Sequence, residues 1–180
     1  VLHQPRAADK ALPSRRRLDK GKTMAKIKIG GIMQTTDLAK VGVMSIPDRP
    51  GTAGHIMRAL GERQINVQFI VQCIDIHNND HVVFCIAEED LERAADILET
   101  VRSELGAEQV IQRRHVAVIS IFGPDFRERP GIAATMFSAF GSHEINILAI
   151  STSISTLSCV IDADHLEEAI AVMRETFDLP

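Results

Sequence analysis

The chain has 180 residues, 45% of them apolar and 24% charged, with a formal net charge of −4 and a mean hydropathy of +0.03. That length can bury one large core or two small ones, and the apolar content excludes an intrinsically disordered chain. No stretch approaches the ~18 uninterrupted apolar residues of a membrane-spanning helix. The net acidity and the lack of Trp and Tyr also argue against nucleic-acid binding, which depends on neutralising phosphates and stacking bases.

Residues 1–23 hold seven of the 20 Lys and Arg against only Asp9 and Asp19, a local charge of +5 that leaves −9 for the remainder. With no apolar segment beside Arg15-Arg16-Arg17, this stretch reads as a disordered or non-native leader. Residues 26–34 alternate and predict a strand; residues 41–46 predict another. Pro50 then supplies a helix-ready φ at a first-turn position, and Ala53, Ile56, Met57 and Leu60 mark one face of a helix running to about Arg63. Residues 65–76 form a long apolar strand, His77-Asn78-Asn79-Asp80 a turn, and residues 81–87 a returning strand. Asp90 or a neighbour caps a helix with Leu91, Ala94, Ala95, Leu98 and Val101 inward, and residues 108–112 close the unit. The order is β-α-β-β-α-β, the ferredoxin-like split unit.

The pattern then repeats. At an offset of 80, residues 49–67 match residues 129–147 at eight of 19 positions, from Arg49-Pro50-Gly51 over Arg129-Pro130-Gly131 to Ile65-Asn66 over Ile145-Asn146. The second copy predicts a strand at 115–122, a helix at 130–142, strands at 145–152 and 155–161, and a helix at 164–176, with Asp162 and Asp164 as caps. It has no closing strand of its own. Residues 26–34 are surplus to the first copy, so the economical topology sends them across to complete the second sheet, whose open edge would otherwise invite aggregation. The expected division is therefore 40–113 for the first domain and 24–36 plus 114–180 for the second. The fold class is α+β, two ferredoxin-like domains.

A strand that ends in Pro-Asp-Arg-Pro-Gly and opens a helix presents unpaired backbone N–H groups, which suit a carboxylate. Gly51 permits close approach of a ligand, and Asp48 can accept from an ammonium group, so a small zwitterion such as an amino acid fits. The alternative is that Pro and Gly only shape the turn. His77 and His81 read as turn residues rather than metal ligands, and no metal site or catalytic arrangement stands out. Cys73, Cys85 and Cys159 are odd in number and form no Cys-x-x-Cys pair. They read as reduced, buried thiols of a cytoplasmic protein.

The stretches 46–51, Ile65-Asn66-Val67-Gln68 to Val71-Gln72, and Ile145-Asn146-Ile147 to Ser151-Thr152-Ser153 resemble the ACT-domain family of amino-acid-sensing modules. They are most similar to the paired ACT domains of aspartate kinase. The resemblance implies a non-catalytic regulatory subunit or domain that senses lysine or threonine, binds no other cofactor, and forms a homodimer through its ACT domains. It implies an aspartate kinase catalytic subunit as a further partner, and neither nucleic acid nor membrane. The family's effector contacts fall on Asp48, Gly51, Ala53 and Gln72 of the first unit and on Asn146, Ile147 and Ser153 of the second. Residues 123–129 are bulkier and more charged than the usual second loop, and residues 77–83 depart from the usual hairpin. A stand-alone sensor for another partner is the alternative; a small enzyme using Cys73 or His81 is a remote one.

Overall fold

A computed structural model describes residues 26–180; the expected leader, residues 1–23, lies outside the described residues. The elements in chain order are β1 (Ile27–Lys28), β2 (Gly31–Pro47), α1 (Thr52–Glu62), β3 (Val67–Ile74) and β4 (Asn79–Ala87). They continue with α2 (Leu91–Leu105), β5 (Gln109–Phe122), α3 (Ile132–Ser142), β6 (Ala149–Thr152), β7 (Thr156–Asp162), α4 (Leu166–Thr176) and β8 (Phe177–Asp178).

Two long strands replace what the alternation divides into four. The polar run Arg113-Arg114-His115 stays inside β5, and β2 passes unbroken through residues 35–40. The main sheet has the order β3-β4-β2-β5-β7-β6. Each unit is a β-α-β-β-α-β arrangement within it, and the N-terminal strand completes the second: Gly31 to Thr35 pair antiparallel with Phe122 to Val118. The later part of β2 pairs with β4 on one side and with the start of β5 on the other. The register between the two long strands shifts around the Leu38–Val116 pair, and each strand places a left-handed residue there, Asp37 (φ 58°) and His115 (φ 56°). The β1 strand extends this arrangement by pairing in parallel with β8.

Helices α1 and α2 cover one face of the first unit over Val41, Val43, Ile46, Ile56, Leu60, Phe84, Ile86 and Leu98. The second core is equivalent, with Ile119, Ile121, Met136, Phe140, Ile161 and Phe177, and Ile29 belongs to it. On the opposite faces a third cluster of Leu38, Phe69, Cys85, Val116, Val118 and Val160 joins the two units.

Several local expectations are corrected. Pro50 precedes the cap of α1, which is Gly51, so it sits outside the first turn. Asp90 holds the cap position of α2 without capping; its carboxylate takes Arg93 instead. Asp162 and Asp164 do not cap the last helix either. They pair with Arg113 and His115 of β5, Arg113 donating two bonds to Asp162 at 3.0 and 2.6 Å. Asn79 and Asp80 belong to β4 rather than to a turn. Cys73 is exposed, whereas Cys85 and Cys159 are buried and burial pushes both thiols up to about 12.

Candidate functional site

The two Pro-Gly loops close onto helix starts of one build. Gly51 caps α1 at φ 99° and Gly131 caps α3 at φ 95°, left-handed values that favour glycine. Neither start carries a side-chain cap, which leaves the leading N–H groups open to an anion. A Cβ at either glycine would meet nothing within 4 Å, so both caps face open space.

The predicted residues of the first unit lie on the loop, on the first turn of α1 and on β3. Asp48 is exposed, and its N–H donates to the Asn78 carbonyl at 3.1 Å, tying the loop to the β3–β4 turn. Ala53 is half-buried in the first turn of α1. Gln72 lies on β3, where its Nε2 donates to Asp80 Oδ2 at 2.6 Å. Asp80 itself was absent from the expected site. It is fully buried beside Ile46 at the foot of the loop, and its Oδ1 has no hydrogen-bond partner. The signal for it lay in the alternation Asp80, Val82, Phe84, Ile86, which puts the carboxylate on the inward face of β4.

The other predicted residues lie in the second unit. Asn146 and Ile147 occupy an irregular segment before β6 rather than the expected strand; Asn146 is exposed and Ile147 packs on the second core. Ser153 sits in the β6–β7 turn, where its Oγ accepts the N–H groups of Ser155 (3.3 Å) and Thr156 (3.0 Å). It lines a cavity of about 280 Å³ together with Phe126, Gly131, Ala133, Thr152 and Leu157. A larger groove of about 550 Å³ lies between α1 and α2, bordered by His55 in α1 and Glu104 near the end of α2. Its charges are of both signs and pair across it, His55 Nε2 lying 2.7 Å from Glu104 Oε2.

The turn beside the first loop is held by Asp75. Its Oδ1 accepts the N–H groups of Asn79 (2.9 Å) and His77 (2.7 Å), and its Oδ2 accepts from His81 Nε2 (3.2 Å). These donors, the Asn79 backbone first, hold the carboxyl well below the usual carboxylate range. The Ser45 N–H donates to His81 Nδ1 at 3.1 Å from a bulge in β2, so Nε2 carries the ring proton toward Asp75. Both ring nitrogens are thereby engaged. His81, which reads from sequence as a solvated turn residue, is a largely buried strut in β4. Cys73 is its cross-strand neighbour on β3.

Comparison with known proteins agrees with this architecture. Two ACT-domain family models match, at residues 41–106 and 119–177. The chain is 34% identical over 162 residues to an aspartate kinase of Pseudomonas putida, covering 90% of this chain but 39% of that protein's length. Among solved structures, the ligand-free regulatory subunit of aspartate kinase from Thermus thermophilus superposes with a TM-score of 0.75 at 32% identity, covering 83% of this chain and 99% of that one. A structure of aspartokinase α and β subunits gives 0.74 at 28% identity, covering 82% and 97%. With its doubled loop-and-helix sites, its shared strands and a near-complete match to a separate regulatory subunit, the chain belongs to the family of paired ACT domains that make up the regulatory part of aspartate kinases.

Proposed function

We propose that this chain is an amino-acid-sensing regulatory subunit or region acting on an aspartate kinase catalytic partner, with lysine or threonine as effector. The observation that carries the reading is the first loop: an uncapped helix start at Gly51 and an exposed carboxylate at Asp48, on a fold whose relative is a regulatory subunit in its own right. The α-carboxylate of the effector meets the N–H groups at Gly51 and Ala53, its ammonium meets Asp48, and Gln72 meets its side chain. A second copy of the chain supplies Asn146 and Ile147 to close the site, with Ser153 serving the second loop. The half-exposed Ile70 and Ile74 on β3 and Ile150 on β6 give the two sheet edges the apolar character that such a homodimer would cover. In this reading the protein works in the cytoplasm, and effector binding shifts the kinase equilibrium by ~1–3 kcal/mol.

Calorimetry tests it directly. The parent chain binds lysine or threonine, and Asp48→Ala weakens that binding by ~1.5–3 kcal/mol, the scale of a hydrogen bond to a charged group. If neither amino acid binds at millimolar concentration, the sensing reading is wrong and only the family remains. The parent is also dimeric by light scattering at ~50 μM; a monomer there, with effector present, removes the shared site.

A further inference from the structure

Both units tie the loop to the adjoining hairpin in the same way. In the first, the residue just beyond β2, Asp48, donates its N–H to the Asn78 carbonyl in the β3–β4 turn at 3.1 Å. In the second, the residue just beyond β5, Gly123, donates its N–H to the Ser155 carbonyl in the β6–β7 turn at 3.0 Å. The tied residue differs. Gly123 is buried and has no side chain to offer, whereas Asp48 is exposed and carries a carboxylate.

The hairpins differ as well. Gln72 pairs with Val82, ten positions on, as Thr152 pairs with Leu157, five positions on; the first hairpin is thus five residues longer, and Thr156 stands where the first unit has His81. The short turn closes on Ser153, whose Oγ accepts the N–H groups of Ser155 and Thr156. The long turn is organised by a charge. Asp75 Oδ1 accepts the N–H groups of His77 and Asn79, while the Asp75 N–H donates to the Asn79 carbonyl at 2.9 Å and the Asp75 carbonyl accepts the Asn78 N–H at 3.1 Å. His81 then spans from this carboxylate to β2. Its Nε2 donates to Asp75 Oδ2 at 3.2 Å, its Nδ1 accepts the Ser45 N–H at 3.1 Å, and the imidazole is only 17% exposed. Ser45 is left-handed (φ 54°) in a bulge of β2, three residues before Asp48. One turn therefore holds the loop at two points, Ser45 through the His81 side chain and Asp48 through its own N–H. The fold itself does not require the first of these, since the second unit makes the same loop-to-turn tie with Thr156 in that place.

We propose that His81 is a positioning residue for the first-loop site: by bracing the Ser45 bulge against the turn that Asp75 holds, it fixes the backbone that aims the Asp48 carboxylate at the effector's ammonium group. The assignment rests on the effector reading above and deepens it. The bond from His81 to Asp75 is charge-assisted and largely removed from water, where such a bond holds its geometry best. A carboxylate on an exposed loop otherwise keeps a freedom that binding must remove, so a braced one binds more tightly through preorganisation. Gly123, with no carboxylate to aim, has no use for such a brace.

The test is a cycle on the whole chain: parent, Asp48→Ala, His81→Gln and the double variant, titrated with lysine and with threonine by calorimetry, and by NMR where affinity is weak. His81→Gln keeps a donor toward Asp75 and gives up the acceptor for Ser45. His81→Phe gives up both and replaces it if thermal melts show the Gln variant unfolded. The His81 variant should weaken binding about three- to tenfold in the parent, but by less than about twofold once Asp48 is Ala, because the brace then has nothing to aim. Equal losses in the two backgrounds, or no loss in either His81 variant, overturn the assignment and leave the effector reading standing. Binding that Asp48→Ala leaves intact overturns it too, since Asp48 then does not touch the ligand. A parent that binds neither amino acid removes the effector reading, and this assignment with it.

Discussion

Removing the crossover strand should unfold the second unit before the first. Ile29 is 4% exposed in the second core, with Ile27 and Ile32 packed against that core. The backbone of the same segment supplies Ile29 N–H to the Asp178 carbonyl at 2.9 Å and Gly30 N–H to the Phe122 carbonyl at 2.6 Å. Truncating Ile29 to Ala deletes a buried branched side chain and leaves a cavity, a loss of about 2–4 kcal/mol. At ~1.36 kcal/mol per factor of ten, that lowers amide-exchange protection roughly 30- to 900-fold where protection depends on opening the second unit. Deleting residues 24–36 also strips the edge of β5 of its partner, and should abolish protection of Ala117, Ile119 and Ile121. Hydrogen exchange read by mass spectrometry or NMR separates these amides from Val82, Phe84 and Ile86 in β4, which should lose far less. Wild-type protection of Ala117 to Ile121 in the deletion variant would refute the argument that the N-terminal segment carries the second core.

Thiol titration of the native chain should modify Cys73 quickly, with Cys85 and Cys159 reacting only on unfolding; rapid reaction of all three would contradict the burial of the latter pair. Because Asp75 has its pKa depressed on folding, its contribution is complete above the unfolded carboxylate range near ~4 and is lost as pH falls below it. Asp75→Asn should therefore be less stable than the parent at pH 7, and the difference should shrink toward pH 2–3 (roughly) in thermal melts; a pH-independent difference would sink this. Gly51→Ala and Gly131→Ala should each cost ~1–2 kcal/mol from the left-handed backbone alone, since the added methyl meets nothing. Unequal losses would point to a steric role at one of the caps.

Much of the fold was legible because the duplicated signals are local ones. Pro-Gly before a helix and Ile-Asn before a strand recur at one spacing, and a missing strand in one copy beside a surplus strand in the other left one economical topology. The union of strands into β2 and β5 was not legible. Arg113, Arg114 and His115 read as a break, yet in the fold they stay paired or turn outward to Asp162, Glu92 and Asp164, so their polarity costs the sheet nothing. The first-loop residues Asp48 and Gly51 could be chosen from motif chemistry, because turn and helix-start requirements are written in adjacent residues. Asp80 could not be chosen that way, since its position depends on a register between β2, β3 and β4 and its neighbours Asn78 and Asn79 suggest a turn. Asp162 and Asp164 were misread for the same reason: their partners lie 49 residues away on β5.

The weaving of β2 and β5 through both halves has a mechanical consequence. No stretch of linker joins the units, so no single cut yields two intact modules. Severing either long strand damages both sheets at once. A pull on the first loop is a pull on the end of β2, whose other end pairs with β5 in the second unit; the register of that strand pair shifts beside the left-handed Asp37 and His115. A tilt of one half would therefore be felt as torsion along a shared pair of strands, and not only across the packed cluster between the units.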